Sequence, residues 1–258
     1  MDGAPGLSPV QRIAVLADIH GNLMALDAVL ADIDGQGISE IVNLGDHLSG
    51  PLDPAGTAER LMQRPMSAIA GNHDQYLLTL APDAMGLSDR FAHASLTPAH
   101  RAWLGSLPAT RQSGALFLCH GTPLSDETYL LEEVVGDHQV IARGAGAVDA
   151  LIGELEADIL LCGHSHQPRL MRLPNGRLVL NPGSVGCPAY QDETPYPHRM
   201  ECGHAMASYA VIERRGTAVD IAFRHVAYDH LAAAALAERN GRPDWAEALR
   251  SGRIGRGG

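Results

Sequence analysis

The chain has 258 residues, 45% of them apolar, enough to bury a substantial core and too many for a disordered protein. Its formal net charge of −11 argues against a broad basic surface, so neither a nucleic-acid polymer nor a membrane is expected as a partner. All nineteen basic residues are arginine, and the absence of lysine excludes both a P-loop nucleotide site and a Schiff-base enzyme.

The first structured element is the apolar run Arg12 to Asp18, which has the character of a buried strand. Asn22 then caps a helix whose Leu23, Leu26, Val29, Leu30 and Ile33 share one face, until Gly35 and Gly37 stop it. Glu40 to Leu44 reads as strand, Ala55 to Met62 as helix, and Met66 to Ala70 as strand. The stretch from Gln75 to Leu107 reads as helical throughout, with Thr97-Pro98 opening a helix. Strands are expected again at Ala115 to Cys119 and Asp158 to Cys162, with a helix over Ala145 to Leu155 between them.

After Gln167 the pattern turns to hairpins. Leu170 to Leu173 and Leu178 to Leu180 flank Asn175-Gly176, a signature of a type I′ turn, and Ala207 to Ile212 pairs with Val219 to Val226 around Arg215-Gly216. Leu231 to Arg239 and Trp245 to Leu249 close the chain as helices. The expected organisation is a single domain over residues 12–251 with flexible tails at 1–11 and 252–258. Four cysteines without a C-x-x-C pair, and no signal-like or membrane-length apolar segment, suggest a cytoplasmic protein.

Polar residues gather where the predicted strands end, which is where an open α/β sheet places its ligands. The clusters are Asp18-Ile-His20, Gly45-Asp46, Gly71-Asn72-His73-Asp74, Cys119-His120-Gly121 and Gly163-His164-Ser165-His166. Mixed imidazole and carboxylate donors suit Mn, Fe, Ni or Zn better than Ca or Mg. The set exceeds the needs of one ion; two ions about 3.5–4 Å apart sharing a carboxylate would use it and would clamp both oxygens of an in-line displacement. Cys119 and Cys162 read as small buried strand residues, and His47 as a loop residue outside the site. His198, Cys202 and His204 have a spacing that could suit a further zinc but lack a strand framework.

In this order the motifs resemble the calcineurin-like metallophosphoesterase superfamily, from Arg12 to about Asp229. Asp18-Ile-His20-Gly21-Asn22, Gly50-Pro51 after Gly45-Asp46, and Asn181-Pro-Gly-Ser-Val-Gly186 look like its small prokaryotic phosphodiesterase branch, related to diadenosine-tetraphosphatase-like proteins. The resemblance implies a four-layer α-β-β-α sandwich of two mixed β-sheets flanked by helices. It implies one divalent ion on Asp18, His20, Asp46 and His166, a second on Asp46, Asn72, His120 and His164, and a bridging hydroxide as nucleophile. His73 would face a small phosphate-ester substrate, with Asp74 orienting it; Asn22, Tyr190 and Arg199 are counted as substrate-binding, the latter two on a loop over 187–206. Ser/Thr phosphatases of the superfamily carry an arginine before Gly-Asn-His and Asp-Arg-Gly after Gly-Asp; here those places hold Ala70 and His47 to Gly50, which lowers the protein-phosphatase alternative. A metallo-β-lactamase-type site fails because Gln167-Pro168 follows His164-Ser165-His166. A non-catalytic scaffold of the same fold is disfavoured by the complete set of candidate ligands.

Overall fold

Parallel strands need a crossover between them, and the first third of the chain supplies two. β1 (Gln11–Leu16), α1 (Leu23–Gly35), β2 (Glu40–Asn43), α2 (Pro54–Met62) and β3 (Ser67–Ala68) follow in order, and the three strands pair in parallel. The structure is a computed structural model and describes residues 10–136 and 138–255. Asn22 caps α1 by accepting from the Ala25 amide, and Leu26, Val29, Leu30 and Ile33 are buried as their spacing predicts. The hairpin of β13 (Ala207–Arg215) and β14 (Ala218–Val226) completes a five-stranded sheet of order β14-β13-β1-β2-β3, with β13 antiparallel to β1.

A second sheet of order β4-β5-β8-β10-β9 comprises β4 (Arg111–Ser113), β5 (Leu116–Leu118), β8 (Ile159–Leu161), β9 (Arg169–Arg172) and β10 (Leu178–Asn181). Its three central strands are parallel and its edges antiparallel. Side chains alternate along each strand, so Ile13 and Val15 point between the sheets toward Leu116, Leu118, Ile159 and Leu161. Ala14 and Leu16 point the other way, onto the buried face of α1. On the far side Phe117, Leu160 and Val179 pack against Val148 and Ile152 of α6 (Ala145–Ile152). The result is the expected four-layer α-β-β-α sandwich of two mixed sheets.

Several local expectations need correction. The segment expected to be helical throughout is three helices, α3 (Asn72–Thr79), α4 (Leu87–Ser95) and α5 (Pro98–Gly105), the last opening on Thr97-Pro98 as expected. Pro82 lacks a backbone donor, and the break it enforces is held by Arg90, whose guanidinium donates to the carbonyls of Pro82 and Met85. The Asn175-Gly176 turn is not type I′: of the two residues only Gly176 takes a left-handed φ, and its N–H donates to Leu173, leaving Pro174 and Asn175 at the corners. Two ribbons escaped the sequence pattern, β6 (Glu132–Gly136) with β7 (Gln139–Ala142), and β11 (Ala189–Asp192) with β12 (His198–Glu201) inside the expected 187–206 loop. The chain closes with α7 (His230–Arg239) and α8 (Pro243–Ser251).

At the ends, Gln11 already pairs with Arg214 in the first sheet. Gly252 accepts from the Gly203 amide and the Ile254 N–H donates to Glu201, so the expected C-terminal tail is anchored over its first residues. Residues 1–9 and 256–258 of the two expected tails lie outside the described residues. No described helix is long and apolar enough to cross a membrane.

Candidate metal centre

The C-terminal ends of β1, β2, β3, β5 and β8 lead directly into the five polar clusters, and the two sheets bring them together. The loops after β1 and β2 interlock through Asp18 N–H to Gly45 O, His20 N–H to Asp46 O and Gly21 N–H to His47 O, each 3.0 Å. Asp18, His20, Asp46, His164 and His166 all sit at φ between 51 and 67°, a left-handed conformation that side chains with a Cβ rarely adopt. Five such residues in one place mark turns held against their local preference. Gly71 lets two loops close: a Cβ there would collide with the Asp46 carboxylate and amide.

The structure gathers two groups of donors, Asp18 with His20 and His166, and Asp46 with His120 and His164; within each, one ligand atom per residue lies within 4.8 Å of the others. Asp46 Oδ2 is 3.3 Å from His120 Nε2 and 3.8 Å from His20 Nε2, so it stands between the groups. The Nδ1 atoms of His20, His120 and His166 donate to the carbonyls of Ser49, Leu44 and Cys187 at 2.7–2.8 Å. At His20 and His166, whose rings burial keeps neutral, that fixes the tautomer and leaves Nε2 a bare lone pair facing inward, whereas at His120 burial is outweighed by the Asp46 and Asp18 carboxylates, which push it up to about 10. His20 Nε2 and His166 Nε2 then confront each other at 3.1 Å, which is repulsive unless a cation lies between or beside them.

Further atoms point the same way. Asp18 Oδ2, His120 Nε2 and Asn72 Oδ1 are buried without a hydrogen-bond partner. Burial pushes His20 down to about 4 and His164 down to about 3, so both are neutral donors near pH 7. Burial also pushes the Asp18 carboxyl up, while at Asp46 burial is outweighed by His120 and His73, which hold its carboxylate well below the usual range. A buried donor set that is short of positive charge fits divalent transition ions.

His73 lies beside this cluster with its side chain 32% exposed. Its Nδ1 is 2.7 Å from Asp89 Oδ1 on α4 and 3.3 Å from Ser49 Oγ. Although burial opposes the charged ring, the Asp46 carboxylate and the Asp89 hydrogen bond push His73 up to about 9. Asp74, expected to orient His73, does something else: its carboxylate accepts from the amides of Asp46, His47 and Gly71 and from His47 Nδ1 at 2.7 Å. It clamps the loop that carries Asp46. Asp89 and the fully buried His47 are the two residues that sequence reasoning missed. Nothing in the sequence signals Asp89, which reaches His73 only through the packing of α4.

The residues expected to bind substrate divide. Asn22 is fully buried, and its amide is consumed by Ala25 N–H, Gly186 O and the Tyr228 hydroxyl, so it serves the fold and not a ligand. Tyr190 lies with its ring 4.6 Å from that of His166, and its hydroxyl bonds Tyr129 Oη and His164 O. Arg199 pairs with Gln191 across the β11–β12 ribbon while Tyr190 pairs with Met200, so Arg199 projects from the opposite face, away from the donors. His198 bonds the Tyr129 hydroxyl and Cys202 Sγ lies 3.8 Å from His204 Nδ1; the three do not converge.

The sequence profile of the calcineurin-like phosphoesterase superfamily domain matches residues 12–199. An uncharacterized protein of Methanocaldococcus jannaschii is 27% identical over 260 residues, covering 90% of this chain and 94% of that protein. A metallophosphoesterase from Sphaerobacter thermophilus superposes with a TM-score of 0.72 at 23% identity, covering 95% of this chain and 100% of that one. The crystal structure of a putative diadenosine tetraphosphatase gives 0.50 at 18% identity, over 85% and 96% of the two chains.

Proposed function

The chain belongs to the calcineurin-like phosphoesterase superfamily, metal-dependent hydrolases of phosphate esters, and from that premise we propose that it holds two divalent ions and hydrolyses a small phosphodiester. The observation that carries the dinuclear part is the pair of donor groups with Asp46 Oδ2 between them and bare imidazole nitrogens opposed at 3.1 Å. Asp18, His20, Asp46 and His166 would hold one ion, and Asp46, Asn72, His120 and His164 the other. Mn, Fe, Ni or Zn would suit these donors, and when bound would supply an activated water and neutralise charge on the phosphate.

The remaining steps belong to the chain. A new P–O bond to the water oxygen forms as the bond to the ester oxygen breaks; the water gives up one proton to solvent, and the departing oxygen takes one from His73, whose charged form the Asp89 carboxylate favours. Asp89 positions that imidazolium and supports its charge. Charge favours a diester over a monoester: among the described residues no arginine hydrogen-bonds or ion-pairs with the donor groups, so the extra negative charge of a monoester has no side-chain counterion there.

The test is metal analysis of the purified protein, with hydrolysis of bis-p-nitrophenyl phosphate and p-nitrophenyl phosphate after chelation and Mn addition. Close to two ions per chain and restored diesterase activity are expected. Asp46→Asn should lower bound metal and turnover more than about 100-fold, since a ligand should matter at least as much as its outer-shell partners. A variant that keeps both ions would refute the shared-carboxylate assignment.

A further inference from the structure

The chain is poor in aromatic residues, with two tryptophans, six tyrosines and three phenylalanines, yet four of these eleven rings border the candidate ligands or His73. Tyr76 lies 5.5 Å from His73, Tyr129 4.7 Å from His164, Tyr190 4.6 Å from His166 and Trp245 6.0 Å from His20, all between ring centroids. Tyr129 and Tyr190 are tied to the scaffold by their hydroxyls. Tyr76 and Trp245 are the half-buried rings that end a row of edge-on contacts, Trp245 to His20, His20 to His73 at 5.5 Å, and His73 to Tyr76. His73, which the reaction needs, therefore has Tyr76 directly beside it and Trp245 one ring further along the row, beyond His20.

Both rings are held in place. The Tyr76 hydroxyl donates to Glu127. Trp245 stands on α8, beyond the segment the family profile matches, packed against the cluster of Leu52, Ala233 and Ala237, with its Cη2 edge close to Gly50. The Arg242 guanidinium lies 5.9 Å above the Trp245 ring and donates to Ser88, the neighbour of Asp89 on α4. Arg242 brings little net charge to this rim, because Asp244 accepts from it through both carboxylate oxygens. On a chain with a net charge of −11, the part of a substrate beyond its phosphate meets rings here and not a cationic surface. Flat π systems are what such rings hold well.

We propose that Trp245 and Tyr76 form the recognition surface for a planar aromatic group, a nucleobase or an aryl ring, carried by the phosphoester that His73 faces. This rests on the phosphoesterase reading above. The test measures binding to the full-length, Mn-loaded protein by calorimetry, with two matched pairs of monoesters, the product class of the reaction. Adenosine 5′-monophosphate is compared with ribose 5-phosphate, and phenyl phosphate with methyl phosphate. The aromatic member of at least one pair should bind about tenfold more tightly, as stacking on one side chain allows. Preference in the first pair identifies a nucleobase, and preference confined to the second identifies an aryl ring. Trp245→Ala and Tyr76→Ala should each cut the preferred ratio at least about threefold, whereas Trp245→Phe, which keeps a ring and protects the α7–α8 packing, should retain most of it. Ratios near one in the wild type, or a wild-type ratio in Trp245→Ala, would overturn the proposal. If neither ribose 5-phosphate nor methyl phosphate binds in a metal-dependent way, the phosphoesterase reading itself fails and this inference falls with it.

Discussion

Asp89 shows what a residue can do without announcing itself. It is 4% exposed, sits sixteen positions after His73, and spends a carboxylate oxygen on the imidazole that faces the substrate. The candidate ligands were legible because each lies within four residues of a predicted strand end and belongs to a short motif. Asp89 belongs to no motif, since its contact is made by packing α4 against α3. Asp74 was read as the orienter of His73 because it is adjacent in sequence, but adjacent residues on a helix point about 100° apart, and its carboxylate turns to the Asp46 loop instead. Asp89→Ala should therefore lower kcat by about 10²-fold, the lower end of what acid–base groups contribute, while leaving KM and bound metal near wild type. Loss of metal in this variant would move Asp89 into the structural support of the donors. In Asp74→Ala the order reverses, with metal lost first, because the amides of Asp46, His47 and Gly71 lose their common acceptor; metal analysis of the two variants side by side checks both assignments.

Elements meet at this site through turns that only some residues permit. The parallel strands and their crossover helices were legible from apolar runs and three-and-four spacing, because burial on both faces leaves β5, β8 and the Ile13 to Leu16 part of β1 no polar position. The β6–β7 and β11–β12 ribbons were not, because they are short and half exposed, and they carry no apolar run that separates them from loop. Glycines at the element ends divide in the same manner. Gly71 faces the Asp46 carboxylate with no room for a Cβ, whereas Gly37, just beyond α1 at φ 67°, has open space around it. Gly71→Ala should cost about 1–3 kcal/mol in overpacking and displace Asp46, so that metal and activity fall together. Gly37→Ala should cost about 1–2 kcal/mol through its left-handed backbone alone and leave the metal content unchanged. Chemical denaturation combined with metal analysis separates the two; equal metal loss in both variants would show that the close approach at Gly71 is not what seats Asp46.

Across the whole molecule, the donors gather at one edge of the sandwich, where both sheets end, so a bound cation would tie the two layers to each other. Without one, Asp18 is buried at a cost that pushes its carboxyl up, and His20 and His166 oppose bare nitrogens at 3.1 Å. The net charge of −11 adds self-repulsion that each divalent ion would offset. Metal binding should then appear as global stability. At a free metal concentration about 100 times the dissociation constant, one site contributes about 2.7 kcal/mol. For a chain of this size that corresponds to a rise in Tm of roughly 5–10 °C over the chelated protein. Asp18→Asn removes the cost of burying an ionisable carboxyl while keeping an oxygen where the His164 amide donates, so its chelated form should melt above the chelated wild type. The same variant should lose most of the increment that Mn gives the wild type, because the first donor group loses its carboxylate. Calorimetric melts of both proteins, chelated and Mn-loaded, decide the matter: coincident wild-type melts with and without metal would mean that the clustered donors hold no ion in the folded state.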